Sequence, residues 1–361
     1  MSDQKPSVLV GMSGGVDSSV TAALLVKEGY RVAGGFIKNW SDSKDLWTGE
    51  CQWRGERRDA MRVAAKLGIP LLTFDFEQAY RERVVGDLFR GYEAGETPNP
   101  DVLCNEVTKY GLFFEEAVRL GFDYIAMGHY ARVEHGATES HLLRGVDPEK
   151  DQSYFLYRVP QNVLRRTMLP IGGLKKTEVR EIARQMELPV AEKPDSQGIC
   201  FIGKLDMAEF LRKKIPSKPG EIVDPEGKVL GQHDSLDQYT IGQRQGIKVS
   251  EGGHAWYVAQ KDDVTNRLVV VPSDDHPLLY KKEAKLHDLH WTRGAASTGE
   301  TRVAVQVRYR QEPVMATMSL SRDEQTAALV FDQPVKAVAP GQSAVFYDGE
   351  ECLGGGILRG V

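Results

Sequence analysis

A chain of 361 residues, 41% hydrophobic and 27% charged, has the composition of a globular protein with room for two or three domains. No apolar run approaches the roughly 18 residues of a membrane-spanning helix, and the short polar start MSDQKPS shows neither a signal peptide nor an arginine-rich transit peptide, so a cytoplasmic location is expected. Its 46 basic and 51 acidic residues leave a formal net charge of −5, which neither requires nor excludes a nucleic-acid partner, because a locally basic face can sit on an acidic protein.

The first element is a β-branched-rich run, Ser7–Met12, followed by a glycine-and-serine loop and a helical pattern over Asp17–Glu28, within VLVGMSGGVDSSVTAALL. A tight loop between a buried strand and a helix leaves the helix's first N–H groups pointing at one spot, where the helix dipole also favours negative charge. Gly14 and Gly15 let the backbone approach a ligand, and Ser13, Ser18 and Ser19 add hydroxyl donors, so the loop reads as an anion site. It is neither a GxxxxGK[ST] loop nor a GxGxxG loop. Further strands are predicted at Arg31–Lys38, Pro70–Phe76 and Tyr124–Met127, and helices at Gly55–Leu67, Tyr80–Tyr92 and Asn105–Leu120. This alternation predicts an α/β domain over residues 1–211 with a doubly wound, mostly parallel sheet, its ligand crevice beyond the carboxyl ends of the strands.

Two of the four cysteines stand in unusual settings. TPNPDVLCN places Asp101 three residues before Cys104 at the start of a predicted helix, where both side chains could share a face and the dipole would favour a thiolate. KPDSQGICFIG sets Cys200 in a polar, glycine-containing loop. Cys51 and Cys352 carry no motif and read as packing or surface thiols; the spacings suit neither a zinc site nor a disulfide framework, and HDLH at His287–His290 is too short for a metal pair. After Leu211 the basic, proline-containing connector RKKIPSKPG opens a β-rich stretch, read as a small central domain over 212–279 and a C-terminal β-barrel-like domain over 280–361. Arg212–Lys214 reads as a solvated face, whereas RYR at Arg308–Arg310 would put two cations and an aromatic on alternating faces of a strand.

SGGVDSS after a buried first strand resembles the pyrophosphate-binding loop of the ATP pyrophosphatase superfamily. Together with FIKNW, PNPDVLCN, AMGHYAR, DQSYFL, DSQGICF and YTIGQRQG, it resembles the tRNA-specific 2-thiouridylase family over essentially the whole chain. The resemblance implies that ATP adenylates the C2 oxygen of the wobble uridine, turning a poor leaving group into one that departs as AMP, and that sulfur arrives from a cysteine persulfide. Gly11, Met12, Ser13, Gly14, Gly15, Val16, Asp17 and Ser18 would hold ATP with Ile37, by its backbone, and Gly128. By the same resemblance Cys200 carries the persulfide, Cys104 resolves it to a Cys104–Cys200 disulfide, and Asp101 is the general acid/base.

The tRNA contacts it implies are Asn99, Pro100, Asp101, His129, Lys150, Asp151, Gln152, Arg308, Tyr309, Arg310 and Gln342. ATP with Mg2+ is expected, with no tightly bound prosthetic group, no metal site and no membrane partner. The expected partners are tRNAs for lysine, glutamate and glutamine and a persulfide donor protein. A disulfide needs Cα atoms roughly 4.4–6.8 Å apart, yet Cys200 must also meet a donor at the surface, so its loop is expected to move. The alternatives are another ATP-dependent ligase of the superfamily, which would need no cysteine pair, or a tRNA-binding module without catalysis.

Overall fold

A computed structural model describes residues 5–42, 51–195, 207–212, 214–249, 255–294 and 299–359. The first seven strands are β1 (Ser7–Gly11), β2 (Arg31–Lys38), β3 (Leu71–Asp75), β4 (Tyr124–Ala126), β5 (Ala131–His135), β6 (Ser140–Arg144) and β7 (Thr167–Met168). Five of them form one sheet in the order β3-β2-β1-β4-β7, every pair parallel. β1 is central, and its successive side chains enter opposite layers. Val8 and Val10 pack with Ala22 and Leu25 of α1 (Val16–Lys27) and Ala60 and Val63 of α2 (Gln52–Leu67). Leu9 packs with Tyr110 and Phe113 on the other face. Burial on both faces is why the strand reads as an unbroken apolar run.

The helix predicted from Asn105 begins five residues earlier. Asn99 caps it, its Oδ1 accepting from the Asp101 and Val102 N–H groups at 3.1 and 3.3 Å, and Pro100 fills the first turn, where no N–H is needed. It continues through a π-helical stretch, Asn105–Leu112, to Arg119.

A second sheet is made of β8 (Gly220–Val223), β9 (Val229–His233), β10 (Tyr257–Asp262) and β11 (Arg267–Val271), in the order β10-β11-β8-β9. The last six strands are β12 (Tyr280–Trp291), β13 (Glu300–Gln306), β14 (Val314–Leu320), β15 (Thr326–Lys336), β16 (Ser343–Asp348) and β17 (Glu351–Leu358). They run β12-β15-β14-β13-β16-β17, and β17 pairs back with β12, closing a barrel around Leu286, Met318, Leu329, Phe331 and Phe346. Closure pairs the first barrel strand with the last, leaving free only the start of β17.

Two further features differ from the sequence reading, besides the helix start and the short strand β7. The hairpin β5–β6, in a stretch where no strand is predicted, extends the barrel sheet through Leu143 opposite Glu351 and so ties the α/β unit to it. Arg308–Arg310 do not alternate across a strand, because β13 ends at Gln306. They lie in the turn before β14, where the Gln311 N–H donates to the Arg308 carbonyl at 3.1 Å and Arg310 takes φ +65°.

Candidate functional site

β1 and β4 are neighbours whose crossovers leave in opposite directions, and the gap beyond their carboxyl ends is where an open α/β sheet binds ligands. A cavity of about 440 Å³ lies there, lined by the glycine-serine loop, Phe36 and Ile37 at the end of β2, Met127–Tyr130 beyond β4, and Tyr309 and Arg310 from the barrel turn. The loop is braced by its own hydroxyls. Ser18 Oγ accepts from the Ser13 N–H at 3.2 Å and the Lys193 ammonium donates to the Gly14 carbonyl at 3.0 Å and to Asp59 at 2.7 Å. Gly15 caps α1 without a side-chain bond, so no side chain of its own covers the first N–H groups.

Ionic groups surround this helix end. Lys176 Nζ donates to both Asp17 carboxylate oxygens at 2.7 and 2.9 Å and lies 2.7 Å from Asp195, which also receives Lys150 at 3.0 Å and Arg180 at 2.8 Å. Burial opposes the charge on Asp195, but Lys176 and Lys150 outweigh it and hold the carboxyl at about 2. Tyr130 donates its hydroxyl to Asp17 at 2.7 Å; burial and that carboxylate push the phenol far above its ordinary range. Glu56, also on the cavity, is pushed up by burial. Four cations (Lys109, Lys150, Lys176, Arg310) thus face three carboxylates (Asp17, Glu56, Asp195) among the described lining residues, a balance suited to a polyanion.

His129 is buried against this cavity. Its Nδ1 lies 2.8 Å from the Tyr110 hydroxyl and its Nε2 3.5 Å from Lys109 Nζ, and burial together with that lysine holds it well below the ordinary histidine value, hence neutral. Gly128 meets the protein itself: a Cβ there would come within 2.7 Å of the Ser18 nitrogen and 2.8 Å of the Asp17 carbonyl carbon.

Cys104 is 0% exposed, packed with Trp40, Tyr80, Leu88 and Phe89 under Phe210 and Leu211 of the helix Met207–Arg212. Cys200 lies outside the described residues, but the chain on either side of it is placed. Asp195 lines the cavity, and Phe210 stacks on Phe89 at 5.3 Å in the Cys104 cluster. Lys213 of the basic run also lies outside the described residues. Asp101 is half-buried in the first helical turn.

Of the remaining expected contacts, Lys150, Gln152, Tyr309 and Arg310 line the cavity with His129. Asp151 does not; it is buried and accepts from the Gly145 and Ser153 N–H groups at 2.9 and 3.0 Å, the Ser153 hydroxyl at 3.0 Å and Arg144 at 3.2 Å. Gln342 and Arg308 also lie off the cavity, Gln342 donating to the Thr97 carbonyl at 2.7 Å. Sequence reasoning missed Lys176, Asp195, Lys109 and Tyr130. Asp195 and Tyr130 sit inside motifs already noticed, KPDSQGICF and AMGHYAR, whereas Lys176 carries no local signal and reaches Asp17 only because its helix packs beside α1.

Residues 6–204 match the model of the tRNA methyl transferase HUP domain, 208–272 that of the tRNA methyl transferase PRC-barrel domain, and 281–358 that of the aminomethyltransferase beta-barrel domain. The chain is 46% identical over 355 residues to the tRNA-specific 2-thiouridylase MnmA of Bacillus velezensis, covering 98% of this chain and 95% of that protein. The protein of the same name from Cupriavidus taiwanensis is 47% identical over 364 residues, covering 99% of this chain and 100% of its own. That of Bacillus subtilis is 45% identical over 355 residues, covering 98% and 95%.

Proposed function

The chain belongs to the tRNA-specific 2-thiouridylase family, and we propose that it is an ATP-dependent tRNA-uridine 2-sulfurtransferase whose nucleotide lies in the cavity over α1. The observation that carries the placement is the convergence there of Gly11–Ser13 and Gly15–Ser18, the open helix end and Lys109, Lys150 and Lys176; Gly14 turns away from the cavity, against the Glu56 carbonyl. ATP would set its phosphates on the loop and its adenine against the backbone at Ile37. Among the described residues no group of three or more histidine, cysteine, aspartate or glutamate side chains gathers to hold a metal by itself. Asp17 and Asp195 fit the supporting part that carboxylates take when Mg2+ is bound largely by phosphate and water. The ion would neutralise phosphate charge.

Attack of the uridine C2 oxygen on the α-phosphorus releases pyrophosphate and leaves an O-adenylated base. The terminal sulfur of a Cys200 persulfide then adds at C2 and AMP departs. The Cys104 thiolate attacks Cys200 Sγ, breaking the S–S bond to the transferred sulfur. The thiocarbonyl remains on the base and a Cys104–Cys200 disulfide on the protein, and a thiol reductant supplies two electrons to reset it. Because Cys104 is fully buried, its core must open for this step. Asp101 would handle the proton at the base. Lys150, Gln152, His129, Tyr309 and Arg310 would receive the anticodon nucleotides at the cavity mouth, with tRNAs for lysine, glutamate and glutamine as substrates and a persulfide-bearing protein as donor. Among the described residues no helix is long and apolar enough to cross a membrane; a cytoplasmic site of action suits a tRNA substrate.

The test is nucleoside mass spectrometry of unmodified tRNA incubated with the protein, ATP and a persulfide donor, with the nucleotide products identified. 2-Thiouridine, AMP and pyrophosphate are expected. Cys200→Ala and Cys104→Ala should abolish product, Cys51→Ala and Cys352→Ala should leave it, and without reductant turnover should stop after about one cycle. ADP and phosphate as products, or thiolation by the Cys104→Ala, Cys200→Ala double variant, would overturn the mechanism.

A further inference from the structure

The lysines that line the nucleotide cavity reach it from opposite faces of the parallel sheet. Lys150 and Lys176 stand on the α1 side, where Asp195 receives both and Lys176 also grips Asp17. Lys109 comes from the other side, on the helical run that begins at Pro100 and carries Asp101 and Cys104. Its neighbour Tyr110 packs on the Leu9 face of the sheet.

Lys109 Nζ lies 3.5 Å from His129 Nε2. His129 follows β4, the strand next to β1, so this contact sets the ammonium beside the strand end that borders the loop. An ammonium only donates, so Nε2 accepts, and the ring proton sits on Nδ1, which donates to the Tyr110 hydroxyl oxygen at 2.8 Å. The Tyr110 and His129 rings are stacked with centroids 5.7 Å apart. A neutral imidazole held in this way orients the ammonium without cancelling its charge.

Helix geometry also brings Lys109 toward the face of Asp101. Eight residues at 3.6 per turn overshoot two full turns by about 80°. Lys109 lies in the π-helical stretch that starts at Asn105, and its wider turns take up part of that overshoot. Helical side chains lean toward the N-terminus, so the lysine stem reaches back along the helix toward the turn that holds Asp101.

We propose that Lys109 is a catalytic residue of adenylation, donating to the non-bridging oxygens of the α-phosphate while the loop, Lys150 and Lys176 serve the pyrophosphate. This rests on the reading of the cavity as the ATP site and of the uridine as the group adenylated. As the C2 oxygen bonds to the α-phosphorus, the bond to the α,β-bridging oxygen breaks and its electron pair leaves with pyrophosphate; the N3 proton passes to Asp101. Negative charge builds on the oxygens around the α-phosphorus, where a preorganised cation counts for most. The same ammonium stays on the phosphate that departs as AMP when the persulfide sulfur adds at C2. His129 keeps its place among the tRNA contacts and orients the lysine from beside it.

The experiment uses full-length protein with Cys200→Ala throughout, so that reaction stops at the adenylated base. It compares Lys109→Met, Lys109→Gln and Lys109→Arg with the Lys109 protein for ATP Kd, tRNA Kd and the single-turnover rate of pyrophosphate release at saturating ATP and tRNA. Each is run with ATP and with both diastereomers of ATP carrying sulfur on the α-phosphate. Methionine and glutamine should slow release about 100-fold or more with both Kd values within about threefold, and arginine should recover most of the rate. The Lys109 protein should discriminate between the diastereomers, and the two uncharged variants should lose most of that discrimination, which a merely structural role would not move. A tenfold weaker tRNA Kd with the saturated rate unchanged would make Lys109 a tRNA contact only. A weaker ATP Kd with the discrimination intact would put it on the β- or γ-phosphate; either result overturns the proposal. If the Lys109 protein releases no pyrophosphate when tRNA is added, the adenylation reading itself falls; if it does and the uncharged variants are as fast, only the role of Lys109 falls.

Discussion

Gly128→Ala separates two reasons for a glycine beside a nucleotide site. The family resemblance assigns Gly128 to ATP, but a Cβ there would lie 2.7 Å from the Ser18 nitrogen, 2.8 Å from the Asp17 carbonyl carbon and 3.0 Å from the Ser18 Cα, all backbone atoms of the first turn of α1. The closest is roughly 0.7 Å inside ordinary van der Waals contact, and backbone cannot turn aside as a flexible side chain can. Relief requires the end of β4 and the start of α1 to move apart. Overpacking of this kind costs about 1–3 kcal/mol, which at roughly 2–4 °C per kcal/mol for a unit of this size lowers Tm by about 2–12 °C. Calorimetric unfolding of the nucleotide-free variant, with ATP titration alongside, reads both quantities. The expected result is a lower Tm without any ligand, with weakened ATP binding because the displaced turn carries the loop. An unchanged ligand-free Tm with a large loss of ATP affinity would refute the packing account and leave the nucleotide as the reason the space is needed.

Lys176→Met removes the one cation bonded to both Asp17 and Asp195 among the described residues. Those carboxylates are about one-third exposed, so stability should fall only by about 1 kcal/mol after solvent screening. The KM for ATP should rise at least about tenfold, as Asp17 loses its cation and Asp195 keeps only Lys150 and Arg180; unchanged ATP kinetics would sink that role. His129 gives a pH signature. Its folded value lies well below the 6.5 of the unfolded chain, so its contribution is complete above about pH 6.5 and declines as the pH falls below that value, where the unfolded state binds the proton first. Melting curves from pH 5 to 8 should show a steeper acid-side loss for the parent than for His129→Gln, and parallel curves would contradict the neutral, buried assignment.

The alternation of strands and helices was legible because β1 and β2 are buried on both faces and appear as short continuous apolar runs between amphipathic helices. β5, β6 and β7 were not, being two to five residues long and mostly half-exposed, and β5–β6 is a strand pair whose role depends on β17, two hundred residues away. No local pattern encodes such a partner. The same distinction governs the site. The glycine-serine loop is local chemistry, with donor, turn and helix end within eight residues, so its capacity for an anion follows from sequence. Lys176, in contrast, becomes part of the site only through the packing of two helices, its partner Asp17 lying 159 residues away.

Residue type and residue partner are separate pieces of information, and Cys104 and Gln342 show the gap between them. PNPDVLCN announces a thiol near a helix start, where the dipole would favour a thiolate; the folded chain buries it with Phe210 and Leu211. Under the proposed mechanism, that burial makes opening of the helix Met207–Arg212 a requirement for the thiol to react. Gln342, in PGQSAVFY, is likewise a tRNA contact by the family resemblance. The tertiary fold turns that amide onto the Thr97 carbonyl, 2.7 Å away. A motif thus identifies which side chains the chemistry can draw on, and the packing of distant segments decides whether each reaches the substrate directly or only after part of the core has moved.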